Sequence, residues 1–130
     1  MELLKGLAKY QPQALGVLRI VTALQFIEHG TQKLFNFPVG EHAGALSGLS
    51  LTAGILEFAG GILLALGLLT QPVAFLLAGE MATAYFMAHM PRDFFPVNNG
   101  GDSAISFCFI FLYLFFAGPG AFALDNRGNG

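Results

Sequence analysis

The stretch Leu15–Phe35, LGVLRIVTALQFIEHGTQKLF, decides the fold of this chain. It is long enough to cross a bilayer, for which about 20 mainly apolar residues suffice. It also carries six side chains that are charged or bear an amide or imidazole group: Arg19, Gln25, Glu28, His29, Gln32 and Lys33. A charge at the centre of a membrane helix costs roughly 3 kcal/mol, so such groups are normally paired and face protein. We therefore expect the other helices to supply partners for this one.

The polar residues of this stretch share one side of a helical wheel. Gln25, Glu28, His29 and Gln32 follow the i, i+3, i+4, i+7 spacing, and Lys33 lies at the edge of the same side. The opposite side is apolar. The pattern predicts a helix with one side toward lipid and the other toward a polar site.

The composition is that of an integral membrane protein. Of 130 residues, 55% are hydrophobic and only 11% are charged, whereas soluble domains have about 25% charged residues. The six Lys and Arg residues are spread along the chain, and the net charge is −2, which argues against a nucleic-acid-binding patch. Cys108 is the only cysteine, so the chain has no cysteine pair for a disulfide or a thiol relay.

The chain divides into four apolar segments bounded by turn signals. They predict one all-α domain, an integral membrane four-helix bundle with spans at about 14–35, 49–69, 72–90 and 103–117. We expect residues 1–13 to form an interfacial helix and residues 118–130 to form a C-terminal tail, which is loosely ordered from Ala121 onward. The short Thr70-Gln71 link makes the second and third spans an antiparallel hairpin. Four crossings place both termini on one side, and a slight excess of basic residues there favours the cytoplasm of a bacterium.

Each of the first three spans carries one glutamate at a similar depth: Glu28, Glu57 and Glu80. Carboxylates at one level need cations or protons, because like charges in a dry bundle cannot all stay ionised. We expect Arg19 to reach Glu80, and Lys33 with His29 to neutralise Glu28. The remaining carboxyl group, on the second span, is then the protonated one.

The same residues also have purely structural interpretations. The glutamates can lock helix packing through ion pairs, and Gln25 can hydrogen-bond between helices. The glycines of the second span, Gly54, Gly60 and Gly61, suit close helix contact and are compatible with a homodimer. A di-iron site needs Glu-x-x-His on two helices, a spacing that Glu28-His29 and Glu80…His89 do not have, so we expect no metal.

A second group of polar residues is expected above the glutamates, where the two longer loops leave the bundle. It consists of Glu41, His42, His89, Arg92, Asp93, Asn98, Asn99 and Asp102. We expect the glutamates to form the floor of a pocket and these loops to form its roof. The bundle would then contain a pocket with polar groups at its base. Such a pocket suits a quinone or another amphiphilic ring.

Three motifs resemble the DoxX family of bacterial membrane proteins. Residues 27–37, IEHGTQKLFNF, are similar to its HGxQKLF element, and residues 55–74, ILEFAGGILLALGLLTQPVA, to its ExxGGxxLxLGLxT hairpin. The region from 89 to 125 resembles its NGGE/D helix start and GPGxxSLD end. The resemblance implies a four-helix membrane subunit, since the family includes quinone-linked parts of thiosulfate:quinone oxidoreductase and members associated with quinone or thiol stress. The matching motif positions are His29, Gln32, Lys33, Glu57, Gly60, Gly61, Asn99, Gly100, Gly101 and Asp102.

The leading hypothesis is a subunit of the bacterial cytoplasmic membrane that binds a quinone in the bundle, with a redox partner protein. We assign proton exchange and oxyanion stabilisation to Glu28, His29, Lys33 and Glu57, and ligand positioning to Arg19, Gln25, Gln32, Glu80, His89 and Asn99. Whether the chain is an enzyme, a quinone-linked oxidoreductase subunit, stays open. The alternative is a non-catalytic membrane scaffold that assembles partner proteins, and a small transporter is a third hypothesis.

Overall fold

The computed structural model describes residues 1–40 and 48–129, and all regular structure in these ranges is helical. The main helices are α1 (Gln11–Phe35), α2 (Gly48–Leu66), α3 (Thr70–Ala84), α4 (Pro96–Asn99) and α5 (Asp102–Ala117). Shorter helical segments are Glu2–Tyr10, Tyr85–His89, Met90–Arg92 and Leu124–Asn129. The predicted all-α bundle of four long helices is confirmed. Glu41 and His42, two residues of the predicted roof, lie outside the described residues.

Two of the four predicted spans are long and apolar enough to cross a membrane. They are α2 and the continuous helical run Thr70–Arg92, while the apolar α5 is shorter. Large apolar side chains that are more than half exposed cover the outside of the bundle, among them Leu24, Ile55, Phe75, Leu76, Phe109 and Phe116. Such an outer surface suits lipid rather than water.

The helices pack as two close pairs, α1 with α2 and α3 with α5, which the α2–α3 hairpin joins. Glycines make the first pair close: a Cβ atom at Gly30 would lie 2.6 Å from the backbone nitrogen of Phe58. One at Gly61 would lie 2.6 Å from Cγ1 of Ile27. These distances confirm that glycine here permits close contact between helices, as small residues do in membrane bundles.

The α2–α3 link begins earlier than predicted. Helix α2 ends at Leu66, because Gly67 adopts φ = +68° and the chain leaves the helix there. The N–H groups of Gly67 and Leu68 bond to the carbonyl oxygens of Leu64 and Leu63 at 3.0 and 2.9 Å, as in a Schellman motif. The link therefore spans residues 67–69, and α3 starts at Thr70 rather than at Pro72.

The C-terminal segment is bound to the bundle by Arg19, which is fully buried. The guanidinium donates from Nε to the Leu64 carbonyl at 2.8 Å. It also donates to three carbonyls that follow α5, those of Pro119, Ala121 (3.0 Å) and Phe122 (2.7 Å). Two predictions are thus wrong: the tail is not loose, and Arg19 does not reach Glu80. The physical reason is that carbonyl groups beyond a helix end lack intrahelical donors, and a guanidinium supplies up to five.

Asp125 completes this connection by capping α3 from outside. Its two carboxylate oxygens accept hydrogen bonds from the N–H groups of Leu69 (2.8 Å) and Thr70 (2.9 Å). Burial by itself would raise the pKa of Asp125, but these bonds and the charge of Arg19 outweigh it and hold the pKa below its ordinary value. The start of α1 lies at the same end, since the Pro12 carbonyl accepts from the Ala121 N–H at 2.8 Å. The C-terminal segment, the start of α1 and the α2–α3 link thus share one end of the bundle, as the four-helix topology predicts.

The glycine contact between α1 and α2 can be tested by adding one methyl group. We expect Gly30→Ala to destabilise the fold by about 1–3 kcal/mol, because its Cβ atom must push the α2 backbone away. The control is Gly79→Ala on α3, where a Cβ atom meets nothing within 4 Å. Thermal unfolding in detergent would measure both, and equal melting temperatures would contradict the close-contact interpretation.

The Asp125 cap predicts a stability difference that depends on pH. Because its folded pKa is lowered, the carboxylate stabilises the fold above its unfolded pKa of about 3.9, and this contribution is lost as pH falls through the folded pKa. Asp125→Asn should cost about 0.5–2 kcal/mol at pH 7. The gap between the two proteins should narrow below about pH 4 in circular-dichroism melts. An unchanged gap at the acidic end would rule out the charge as its cause.

Candidate functional site

Side chains from three helices meet at the loop end of the bundle and form an ionic cluster of Lys33, Glu57 and Glu80. Lys33 Nζ lies 2.7 Å from Oε1 of Glu57, whose side chain is 2% exposed. The Glu80 carboxyl group, from α3, lies beside these two residues. The close approach at Gly30 makes this possible, since Lys33 lies one turn further along α1, directly against α2.

The cluster holds one ammonium and two carboxyl groups. Lys33 makes its ion pair with Glu57, so that carboxyl group has a cationic partner within the cluster. The sequence-based hypothesis left Glu57 without a cation, whereas the structure pairs Glu57 with Lys33 and shows no ion pair of Glu80 among the described residues. Within residues 1–40 and 48–129, the buried Oε1 atom of Glu80 has no hydrogen-bond partner. Such an atom loses its hydration without compensation, at a cost of about 1–3 kcal/mol.

The predicted pairing of Lys33 with Glu28 is wrong. Glu28 and Gln25 are exposed on the outer side of α1, and Gln32 donates to the Pro38 carbonyl at 3.2 Å. The helix buries the side that contains Gly30, where its backbone approaches that of α2 closely. Lys33, at the border of the two sides, is the one that reaches inward.

A cavity of about 430 Å³ adjoins the cluster on the side of α5. This volume lies within the usual range for small-molecule sites, about 300–1,000 Å³. Its polar wall includes Lys33, Glu57, Glu80, His29, His89 and Arg92, and its apolar wall includes Phe26 and Phe107. Phe107 meets both His29 (5.9 Å between ring centroids) and Phe26 (5.5 Å), edge to face in each case.

Asn99 holds the loop that covers this cavity. It is 2% exposed, its Nδ2 donates to the Asp93 carbonyl (2.9 Å) and to Tyr85 Oη (3.2 Å), and its Oδ1 accepts from the Gly101 N–H (2.8 Å). Its own carbonyl lies 3.1 Å from Nδ1 of His89. Because a carbonyl can only accept, His89 carries a hydrogen on Nδ1, which leaves Nε2 of the neutral ring as an acceptor. Asn99 is thus a positioning residue for the loop and for His89.

The structure unites only some of the predicted site residues. Lys33, Glu57, Glu80, His29 and His89 line one cavity, and Asn99 supports it. The other four lie elsewhere: Arg19, Gln25, Glu28 and Gln32. Sequence reasoning missed Ser103 and Phe107 as wall residues. Their i, i+4 spacing directly after the NGGD motif was the available signal.

The hydrogen bonds of the buried Asn99 predict that substitutions of two neighbouring asparagines have unequal effects on stability. Asn99→Ala should destabilise the fold by about 1–3 kcal/mol, because it leaves buried polar groups unpaired. Asn98→Ala, at an exposed position, should change stability by less than about 0.5 kcal/mol. Hydrogen exchange of the Gly101 N–H and thermal melts would check this. Equal protection in the two variants would contradict the role given to Asn99.

Comparison with known proteins agrees with the motifs. The sequence model of the DoxX family matches residues 14–90, a range that contains Lys33, Glu57 and Glu80. An uncharacterized protein of Haemophilus influenzae is 45% identical over 130 residues, covering 95% of this chain and 97% of its own length. No solved structure matches the chain. The chain therefore belongs to the DoxX family of membrane proteins.

Proposed function

We propose that this protein binds a quinone-like molecule in the cavity beside the ionic cluster, as a subunit of a quinone-linked redox system in the bacterial cytoplasmic membrane. The observation that carries the proposal is the unpartnered Oε1 atom of Glu80, buried next to a cavity of about 430 Å³. A hydroxyl group of a quinol can donate to that atom. This acceptor and the Lys33 ammonium, which is a donor, together fit a ring that carries oxygen on its edge.

The residues of the cavity have complementary tasks. Lys33 presents an ammonium group that stabilises negative charge on a ring oxygen, while its bond to Glu57 holds it in place. Glu80 offers its buried Oε1 atom as an acceptor to a hydroxyl group on the ring. Phe26 and Phe107 offer apolar surface for the ring itself.

Two histidines provide routes for protons between the cavity and the outside. His89 lines the cavity and keeps Nε2 available as an acceptor, and the exposed His29 lines it from α1. A histidine exchanges protons near neutral pH more readily than other side chains do. Glu28, which the sequence placed in this role, lies too far out on α1 to take part.

Quinones take up two electrons and two protons when they are reduced to quinols. The side chains above bind the ring and move protons, and they carry no electrons themselves. The single cysteine, Cys108, cannot form a dithiol relay within one chain. We therefore assign electron delivery to a separate redox protein that docks on this subunit.

A scaffold role is the second candidate, and the outer side of α1 favours it. Gln25 and Glu28 are exposed there, at a depth where an unpaired charge would be costly in lipid. A partner helix or a second copy that covers this side would remove the cost. Quinone binding and partner binding use different faces of α1, so they can be tested separately.

The proposed site predicts which carboxyl group matters for quinone retention. Glu80→Leu removes the acceptor but keeps the Lys33–Glu57 ion pair, so the protein should fold and lose about 10–100-fold in quinone affinity. Glu28→Leu makes the same replacement on the exposed side and should retain quinone. Mass spectrometry of lipids co-purified in mild detergent measures the quinone content of all three proteins.

Two outcomes would count against this proposal. Equal quinone content in the folded Glu80→Leu and Glu28→Leu proteins would place the ligand elsewhere. No quinone in the folded wild type, together with loss of partner proteins from Glu28→Leu, would establish the scaffold role instead.

A further inference from the structure

A second cavity opens between α2 and α3 on the outer surface of the bundle. This groove has a volume of about 550 Å³, and its walls are mostly apolar. Phe75, Leu76 and Met87 border it, and each of them is more than half exposed. The groove therefore opens sideways, toward the lipid that surrounds the bundle.

The groove follows from how the two helix pairs are joined. Near the link, α2 and α3 pack closely, and a Cβ atom at Gly60 would lie 3.1 Å from Leu77. Further toward the loops the facing residues are small, such as Ala53 and Gly79, while α2 stays against α1 and α3 against α5. The two pairs separate there, and a gap between the helices results.

The inner end of the groove reaches the ionic cluster. Lys33 and Glu80 line both the groove and the first cavity, as do Ala53, Ala84 and Ala88. The two cavities thus meet at the ionic cluster. A molecule with a polar ring and an apolar tail could occupy both at once, with the ring at the cluster and the tail toward lipid.

We propose that the groove binds the hydrocarbon tail of the ligand, which enters sideways from the bilayer. The inference rests on the proposed quinone site and narrows its ligand to a long-chain, membrane-dissolved quinone. A water-soluble ring without a tail would leave the groove uncovered. A phospholipid chain would fill the groove but would bring no ring to the unpartnered Glu80 oxygen.

Gly79→Leu tests the assignment without touching the cluster. A Cβ atom at Gly79 meets nothing within 4 Å, so the larger side chain enters the groove rather than the α2 backbone. Ala59→Leu, at an exposed position of α2 outside the groove, adds comparable apolar bulk and is the matched control. Thr83→Leu, one turn beyond Gly79 on the same wall, is a second blocking variant should Gly79→Leu fold poorly.

The measurement compares two benzoquinones with the same ring, one with a decyl tail and one with a methyl group, by titration calorimetry in nanodiscs. We expect the blocking variants to bind the decyl compound about tenfold more weakly than the control does. We expect them to bind the methyl compound with the same affinity as the control.

Equal affinities of the blocking and control variants for the decyl compound would overturn the tail site but leave the quinone site standing. No binding of either compound by the wild type would overturn both. Phospholipid that is retained by the control and lost from the blocking variants, with decyl binding unchanged, would assign the groove to a lipid.

Discussion

The close contact of α1 with α2 is the constraint on which the other features depend. Gly30 and Gly61 let the two backbones approach, because a Cβ atom at either position would lie 2.6 Å from an atom of the other helix. This contact places Lys33 over Glu57 toward the loops. Toward the chain ends it places Arg19 beside the Leu64 carbonyl. A single helix crossing thus sets both polar centres of the bundle.

The two ends of the bundle differ in what surrounds their polar groups. Each end has one buried oxygen without a hydrogen-bond partner among the described residues, Oγ1 of Thr70 at the chain ends and Oε1 of Glu80 at the loop end, and Glu80 is the one that lines the two cavities. At the chain ends, Arg19 and Asp125 form hydrogen bonds with backbone carbonyl and N–H groups near the helix ends. These bonds connect the C-terminal segment to α1 and α3. At the loop end, a buried carboxyl oxygen stays unpaired beside two cavities. Departures from full hydrogen bonding of this kind are commonly found at the functional sites of proteins. The contrast supports a structural role for the first end and a binding role for the second.

Sequence reasoning was most successful where local patterns decide the outcome. Apolar length and turn residues predicted the four long helices, and the glycines of the second span were correctly interpreted as packing residues. The helical wheel of α1 was misleading for Gln25 and Glu28, because a wheel shows which residues share a side but not which side is buried. Asp125 gave no sequence signal as a cap for α3, since the two are 55 residues apart.

The sequence by itself determined the helical class, the membrane character, the family and the charged residues available for a site. Each of these depends on composition or on periodicity within one segment. Only the tertiary structure decided which charges pair, that the tail is bound by Arg19, and that a groove between α2 and α3 meets the cluster. Those outcomes depend on the relative depth and crossing of helices that are far apart in sequence, and the periodicity of a single helix carries no information about its neighbours.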